Sequence, residues 1–140
     1  MTSIRGTSAG RWFTRVMWIG IIANLGLAIP TLLYPAMMLA RNSLPPADPL
    51  LWPRFSALLL ILLSVFYMPA AVDPDRYRVN AWFAVASRLV GVVFFFVFQP
   101  SEYRALGMVD LVFFVPEVIL LIVAVRRAAA AAPLTSGARV

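Results

Sequence analysis

The chain has 140 residues, of which 62% are hydrophobic and only 13% charged, and its mean hydropathy is +0.88. That composition lies outside the range of soluble domains and excludes a disordered tail or a nucleic-acid binder as the main identity, despite a formal net charge of +6 and an isoelectric point near 11.1. The sequence reads as one integral membrane domain.

A chain without Cys or His has no thiolate, no imidazole and no disulfide, and no side chain that titrates near neutrality unperturbed. Haem b and zinc are disfavoured on those grounds, and six methionines leave only an unusual Met-ligated haem among tightly held metals. All twelve basic residues are Arg, so no amine is available for a Schiff base or for covalent attachment of a cofactor.

Charge-free runs define the elements in chain order. Between Arg15 and Arg41 lie 25 uncharged residues, and between Arg54 and Asp73 another 18; each suffices to cross a hydrocarbon core of about 30 Å at about 1.5 Å per residue. A third run, 79–98, is interrupted only by Arg88, and a fourth, 105–125, only by Asp110 and Glu117. The expected fold is an all-α, four-helix transmembrane bundle with spans near 13–33, 52–72, 77–98 and 104–126.

Pro30, and Pro35 after Tyr34, end the first span near Leu33, because the residue before proline is biased away from the helical region. Residues 35–41 then read as a short interfacial helix, with a straight continuation as the alternative. The first run fits a cleaved signal peptide poorly: its apolar core is too long and no small-residue cleavage pair precedes a plausible cut. Asp48-Pro49 and Asp73-Pro74 read as caps that open the second and third spans, and Ser101 after Pro100 as the cap of the fourth. The loop 41–54 holds Pro45, Pro46, Pro49 and Pro53, so it is a stiff connector or a docking surface. Residues 128–140 read as a small-residue extension of the last helix that frays.

Arginine placement sets the orientation. Arg5, Arg11, Arg15, Arg76, Arg78, Arg126, Arg127 and Arg139 fall on one side, and only Arg41, Arg54 and Arg104 on the other, so both termini are expected in the cytoplasm. Trp12, Trp18, Trp52, Trp82, Tyr34, Tyr77 and Tyr103 gather at the span ends, as interfacial aromatic belts do.

Arg88, Asp110 and Glu117 demand an explanation, since a charge at the centre of a transmembrane helix costs about 2.5–3.5 kcal/mol on the insertion scale. Counting inward from the cytoplasmic side puts Arg88 and Glu117 level, about 12–14 Å deep, on neighbouring antiparallel helices, which predicts an ion pair. Arg88 shares its face with Ala81, Ala84 and Gly91, small residues that let another backbone approach. Asp110 lies two turns from Glu117 on the same face, and Arg54 is its expected partner. Pro116 removes a backbone hydrogen bond beside Glu117, and Asn24 lies at similar depth on the first helix. Asn24, Arg54, Arg88, Asp110 and Glu117 are therefore the candidate site. Two readings stand: the charges lock the register of the bundle, or they bind a polar head such as a quinone carbonyl or lipid phosphate, or relay protons.

The Arg that opens the second span in Trp52-Pro53-Arg54-Phe55-Ser56-Ala57-Leu58, and the Arg-Leu-Val-Gly of residues 88–91, resemble the DoxX-like group of small four-helix bacterial membrane proteins. The resemblance implies an inner-membrane protein, linked in some members to quinone-dependent oxidation complexes; no catalytic residue of that group carries over. The expected function is a non-catalytic subunit or assembly partner of a larger membrane complex, with lipids and other membrane subunits, or further copies of itself, as partners. The alternative is a small proton-coupled transporter. A self-sufficient enzyme is the weakest reading, because nothing supplies a nucleophile beside the two carboxylates, and dispersed arginines argue against a nucleic-acid partner.

Overall fold

A computed structural model describes residues 3–131. The described residues are mostly helical, with no strand, and four of the helical segments are long and apolar enough to cross a membrane: Ser8–Leu33, Leu51–Val72, Arg78–Phe98 and Ser101–Ala130. The elements are α1 (Ser8–Leu33), α2 (Pro35–Arg41), α3 (Leu51–Val72), α4 (Arg78–Val93) and α5 (Arg104–Ala130). A π-helical turn, Phe94–Phe98, extends α4, and a 3-10 turn, Ser101–Tyr103, precedes α5.

The four long helices form a ring in which α1 packs on α3 and α5, and α4 packs on α3 and α5. The centre of the ring sets four alanines, Ala70, Ala71, Ala81 and Ala84, among Phe13, Met17, Ile21, Tyr67, Val85 and Leu121. Lipid tails are as apolar as a leucine side chain, so helices in a bilayer associate through close packing rather than hydrophobic exclusion, and small residues make that approach possible. The outward faces carry exposed Ile19, Ile22, Leu62, Phe83, Val90 and Ile119, as a lipid-facing surface requires.

Helix α1 begins at Ser8, five residues ahead of the expected start, because Thr7 caps it: the Thr7 hydroxyl accepts a hydrogen bond from the Gly10 amide at 2.9 Å. It passes through Pro30 and stops at Leu33. After α2, Ser43 adopts a left-handed φ of 54°, and the Leu44 and Ser43 amides bond back to Leu39 and Ala40; this is a Schellman closure formed without glycine.

The three expected caps are corrected. Helix α3 starts at Leu51 behind Leu50, with no side-chain cap, so Asp48 lies too early; Pro53 occupies the first turn instead, where a missing N–H breaks no helical bond. Asp73 accepts from the amides of Asp75 and Arg76, both at 3.2 Å, and so closes the turn ahead of α4 rather than α4 itself, which opens at Arg78. Ser101 begins the 3-10 turn and makes no capping bond. The tail expectation falls mostly outside the described residues; within them, α5 runs to Ala130.

The end of the bundle where α1 begins and α5 finishes is tied by a latch that no sequence signal marks. Asp75, between α3 and α4, accepts hydrogen bonds from the Ser3 hydroxyl at 2.7 Å and from the Ile4 and Arg5 amides at 2.7 and 3.1 Å. Ile4 is buried against Ala9, Ala124 and Ala128, and the chain folds back there because Gly10 has no Cβ to meet the Ile4 carbonyl. Burial opposes ionisation of Asp75, but the bonds from Ser3, Arg5 and Ile4 and the charge of Arg78 outweigh it, holding the carboxyl below its ordinary value of 3.8. A lowered carboxyl stabilises the folded form fully above the ordinary value, and that contribution disappears as pH falls through the folded value. The latch is therefore expected to stay closed at neutral pH, to open only in strong acid, and to open at neutral pH in Asp75→Asn. The Ile4 and Arg5 amide resonances report it: they should move upfield in the variant, and unchanged shifts would mean that the carboxylate does not hold the segment.

Candidate functional site

Arg88 lies on the buried face of α4 with Ala81, Ala84 and Val85, and the facing side of α5 carries Asp110 and Glu117. Seven residues separate the two carboxylates, about 10.5 Å along the axis, and the guanidinium bridges them. Its Nε donates to Glu117 Oε1 and Oε2 at 3.2 and 3.1 Å, and its Nη1 donates to Asp110 Oδ1 at 3.3 Å. The Phe113 ring lies 4.7 Å from the guanidinium carbon, a cation–π contact in a desolvated setting.

Two glycines make the cluster possible. A Cβ on Gly20 of α1 would overlap Arg88 Nη2 and sit 3.4 Å from Glu117 Oε1; one on Gly91 of α4 would overlap Asp110 Oδ2. Gly91 was legible as a small residue on the Arg88 face. Gly20 was not, because its partner lies across the ring on a helix whose rotation the sequence leaves open. Beside the cluster, the Tyr67 hydroxyl is hydrogen-bonded to Ser87 Oγ. Ser87 spends its own proton on the Ala84 carbonyl at 2.9 Å, so Tyr67 is the donor.

The structure brings Arg88, Asp110 and Glu117 together and separates the other two candidates from them. Arg54 is exposed and makes no ion pair among the described residues, which corrects its expected pairing with Asp110. Counting along helices gives relative height but not lateral reach, and Gly91 gives Asp110 direct access to Arg88. Asn24 is buried on α1 and makes no hydrogen bond to the charged cluster. Helix α5 runs through Pro116 unbroken.

Exposure divides the cluster. The Arg88 and Glu117 side chains are 2% and 0% exposed, Asp110 24%. Asp110 is open because it borders, with Asn24, a cavity of about 620 Å³ that extends toward the end of the bundle carrying α2. Ala28 of α1 and Ala57 of α3, Phe94 and Phe95 of the π turn, and Met38, Leu39 and Leu44 of α2 and its following loop all line it. The size lies within the range of small-molecule sites, roughly 300–1,000 Å³, and an apolar wall with a few convergent polar groups is their usual chemistry. Among the described residues, no three acidic side chains gather as a metal-binding group.

No protein-family model matches the chain, and no curated protein or solved structure matches it significantly.

Proposed function

We propose that this multi-pass membrane protein works by holding a lipophilic molecule in the cavity above Asp110, as a non-catalytic subunit or assembly partner of a larger membrane complex. The observation that carries the reading is a largely apolar cavity in which Asp110 of the buried ion cluster is the one charged wall residue. Glu117, fully buried behind Arg88, anchors the cluster rather than meeting the ligand. The DoxX-like resemblance of residues 52–58 and 88–91 supports a bacterial inner-membrane location and a quinone-linked complex. The arginines on the terminal side support cytoplasmic termini.

Native mass spectrometry of the protein released gently from its own membranes tests both halves of this proposal. The expected spectrum shows a bound small molecule and a co-purifying membrane subunit, and Ala57→Phe or Leu60→Trp, which fill the cavity, remove the small molecule from a protein that still melts cooperatively. A ligand-free protein, or retention of the molecule in both filled variants, would overturn the binding role.

The alternative, a small proton-coupled transporter, draws on the sharing of one guanidinium by two carboxylates of unequal exposure. It requires pH-dependent flux in reconstituted vesicles, lost in both Asp110→Asn and Glu117→Gln.

A further inference from the structure

We propose that the cavity takes a lipophilic amine, an apolar body with a protonated ammonium head that donates to Asp110 and Asn24. This rests on the binding role proposed above and adds the sign of the ligand's charge.

Formal charge is the first argument. Two carboxylates, Asp110 and Glu117, face one guanidinium, Arg88, so with both ionised the cluster carries one negative charge in excess, which either a proton on one carboxyl or a bound cation removes. Arg88 does not line the cavity. Its Nε is committed to Glu117 and its Nη1 to Asp110, its face lies against Phe113, and it is 2% exposed.

The second argument comes from the cavity wall. Asp110 is the only charged residue lining it, and no Arg lines it at all. The Asp110 carboxylate accepts one hydrogen bond among the described residues, out of about four acceptor positions. The Asn24 side chain, 7% exposed, borders the same cavity and has no hydrogen-bond partner among the described residues. The Asn24 amide oxygen is therefore an acceptor on the cavity wall that a ligand donor can reach.

Third, Trp52, Phe94, Phe95 and Tyr103 also line the cavity, and aromatic faces attract cations as well as apolar bodies. A phosphate or carboxylate head would meet the Asp110 charge with no cation in the cavity wall, and a quinone carbonyl, an acceptor, would leave the spare acceptor positions of Asp110 unfilled. An ammonium head meets the charge of Asp110 and fills its spare acceptor positions, with the Asn24 oxygen as a further acceptor on the same wall.

The test uses the full-length protein in phosphatidylcholine nanodiscs, with empty nanodiscs subtracted. The probes are tritiated phenylbutylamine, its uncharged counterpart phenylbutanol, and the anion phenylbutyrate. The expected result is saturable amine binding about tenfold or more tighter than the alcohol, as a hydrogen bond to a charged group provides, and no binding of the anion. Asp110→Asn should bring the amine down to the alcohol's affinity while leaving the alcohol unchanged, which also shows that the variant is folded. If Asp110→Asn does not fold, Asn24→Leu takes its place and should weaken the amine more than the alcohol. Replacing part of the phosphatidylcholine by phosphatidylethanolamine separates the sources: competition identifies a lipid ammonium head, and no competition a free amine. Alcohol bound as tightly as amine, or a preference that survives Asp110→Asn, would overturn the cationic head and leave the cavity reading standing. Absence of saturable binding by all three probes would overturn both.

Discussion

Arg88→Leu is expected to destabilise the bundle by about 3–5 kcal/mol, because removing one partner from a buried ionic cluster leaves the others unpaired. Here it leaves two, Asp110 and Glu117, and also removes the contact with Phe113. The measurement is reversible unfolding in mixed micelles. A triple variant, Arg88→Met with Asp110→Asn and Glu117→Met, should recover most of the loss, since apolar side chains of similar size replace buried ion clusters at little net cost. Recovery would show that the charges are dispensable for folding and retained for another reason. Failure to recover would favour the register-locking role of the cluster.

Gly20→Ala and Gly91→Ala are each expected to lose about 1–3 kcal/mol, the usual range for overpacking a well-filled interior. The sign is informative, because alanine in a helix interior is by propensity about 1 kcal/mol better than glycine. Gly26→Ala supplies the control: it lies in the same α1 helix, a Cβ added there would meet nothing within 4 Å, and the substitution should be neutral or mildly stabilising. In an Asp110→Ser background, Gly91→Ala should lose most of its penalty, because the atom it would displace is gone. Equal effects of Gly91→Ala in both backgrounds would show that contact with the carboxylate is not what the glycine permits.

The membrane architecture was legible because uncharged runs of membrane-spanning length are a coarse, strong signal, and α1, α3, α4 and α5 each grow from one of them. The meeting of Arg88 with Glu117 was legible too, since equal depth on adjacent antiparallel helices leaves few other partners. What escaped depends on geometry finer than residue counting. The Asp-Pro pairs look like caps, but where the first helical turn closes is decided by the connection as a whole, so Asp48 precedes the turn it was expected to cap and Asp73 closes a different one. The cavity was invisible because it arises between elements, lined by residues of α1, α2 and its following loop, α3, the π turn and α5. The latch on Asp75 pairs residues 70 and 71 positions apart through main-chain amides that carry no side-chain signature.

The spacing of the ion cluster along the chain also has a consequence during biosynthesis. Arg88 precedes its partners by 22 and 29 residues, so α4 is made before either carboxylate exists. At about 5–20 residues per second, the arginine waits roughly one to six seconds for Asp110 and Glu117 to emerge. During that interval α4 carries an unpaired cation whose transfer to lipid is unfavourable by about 2.5–3.5 kcal/mol. Helix α4 with its π turn is apolar enough to span the bilayer despite that charge, so the cation is held in the membrane unpaired until α5 follows it.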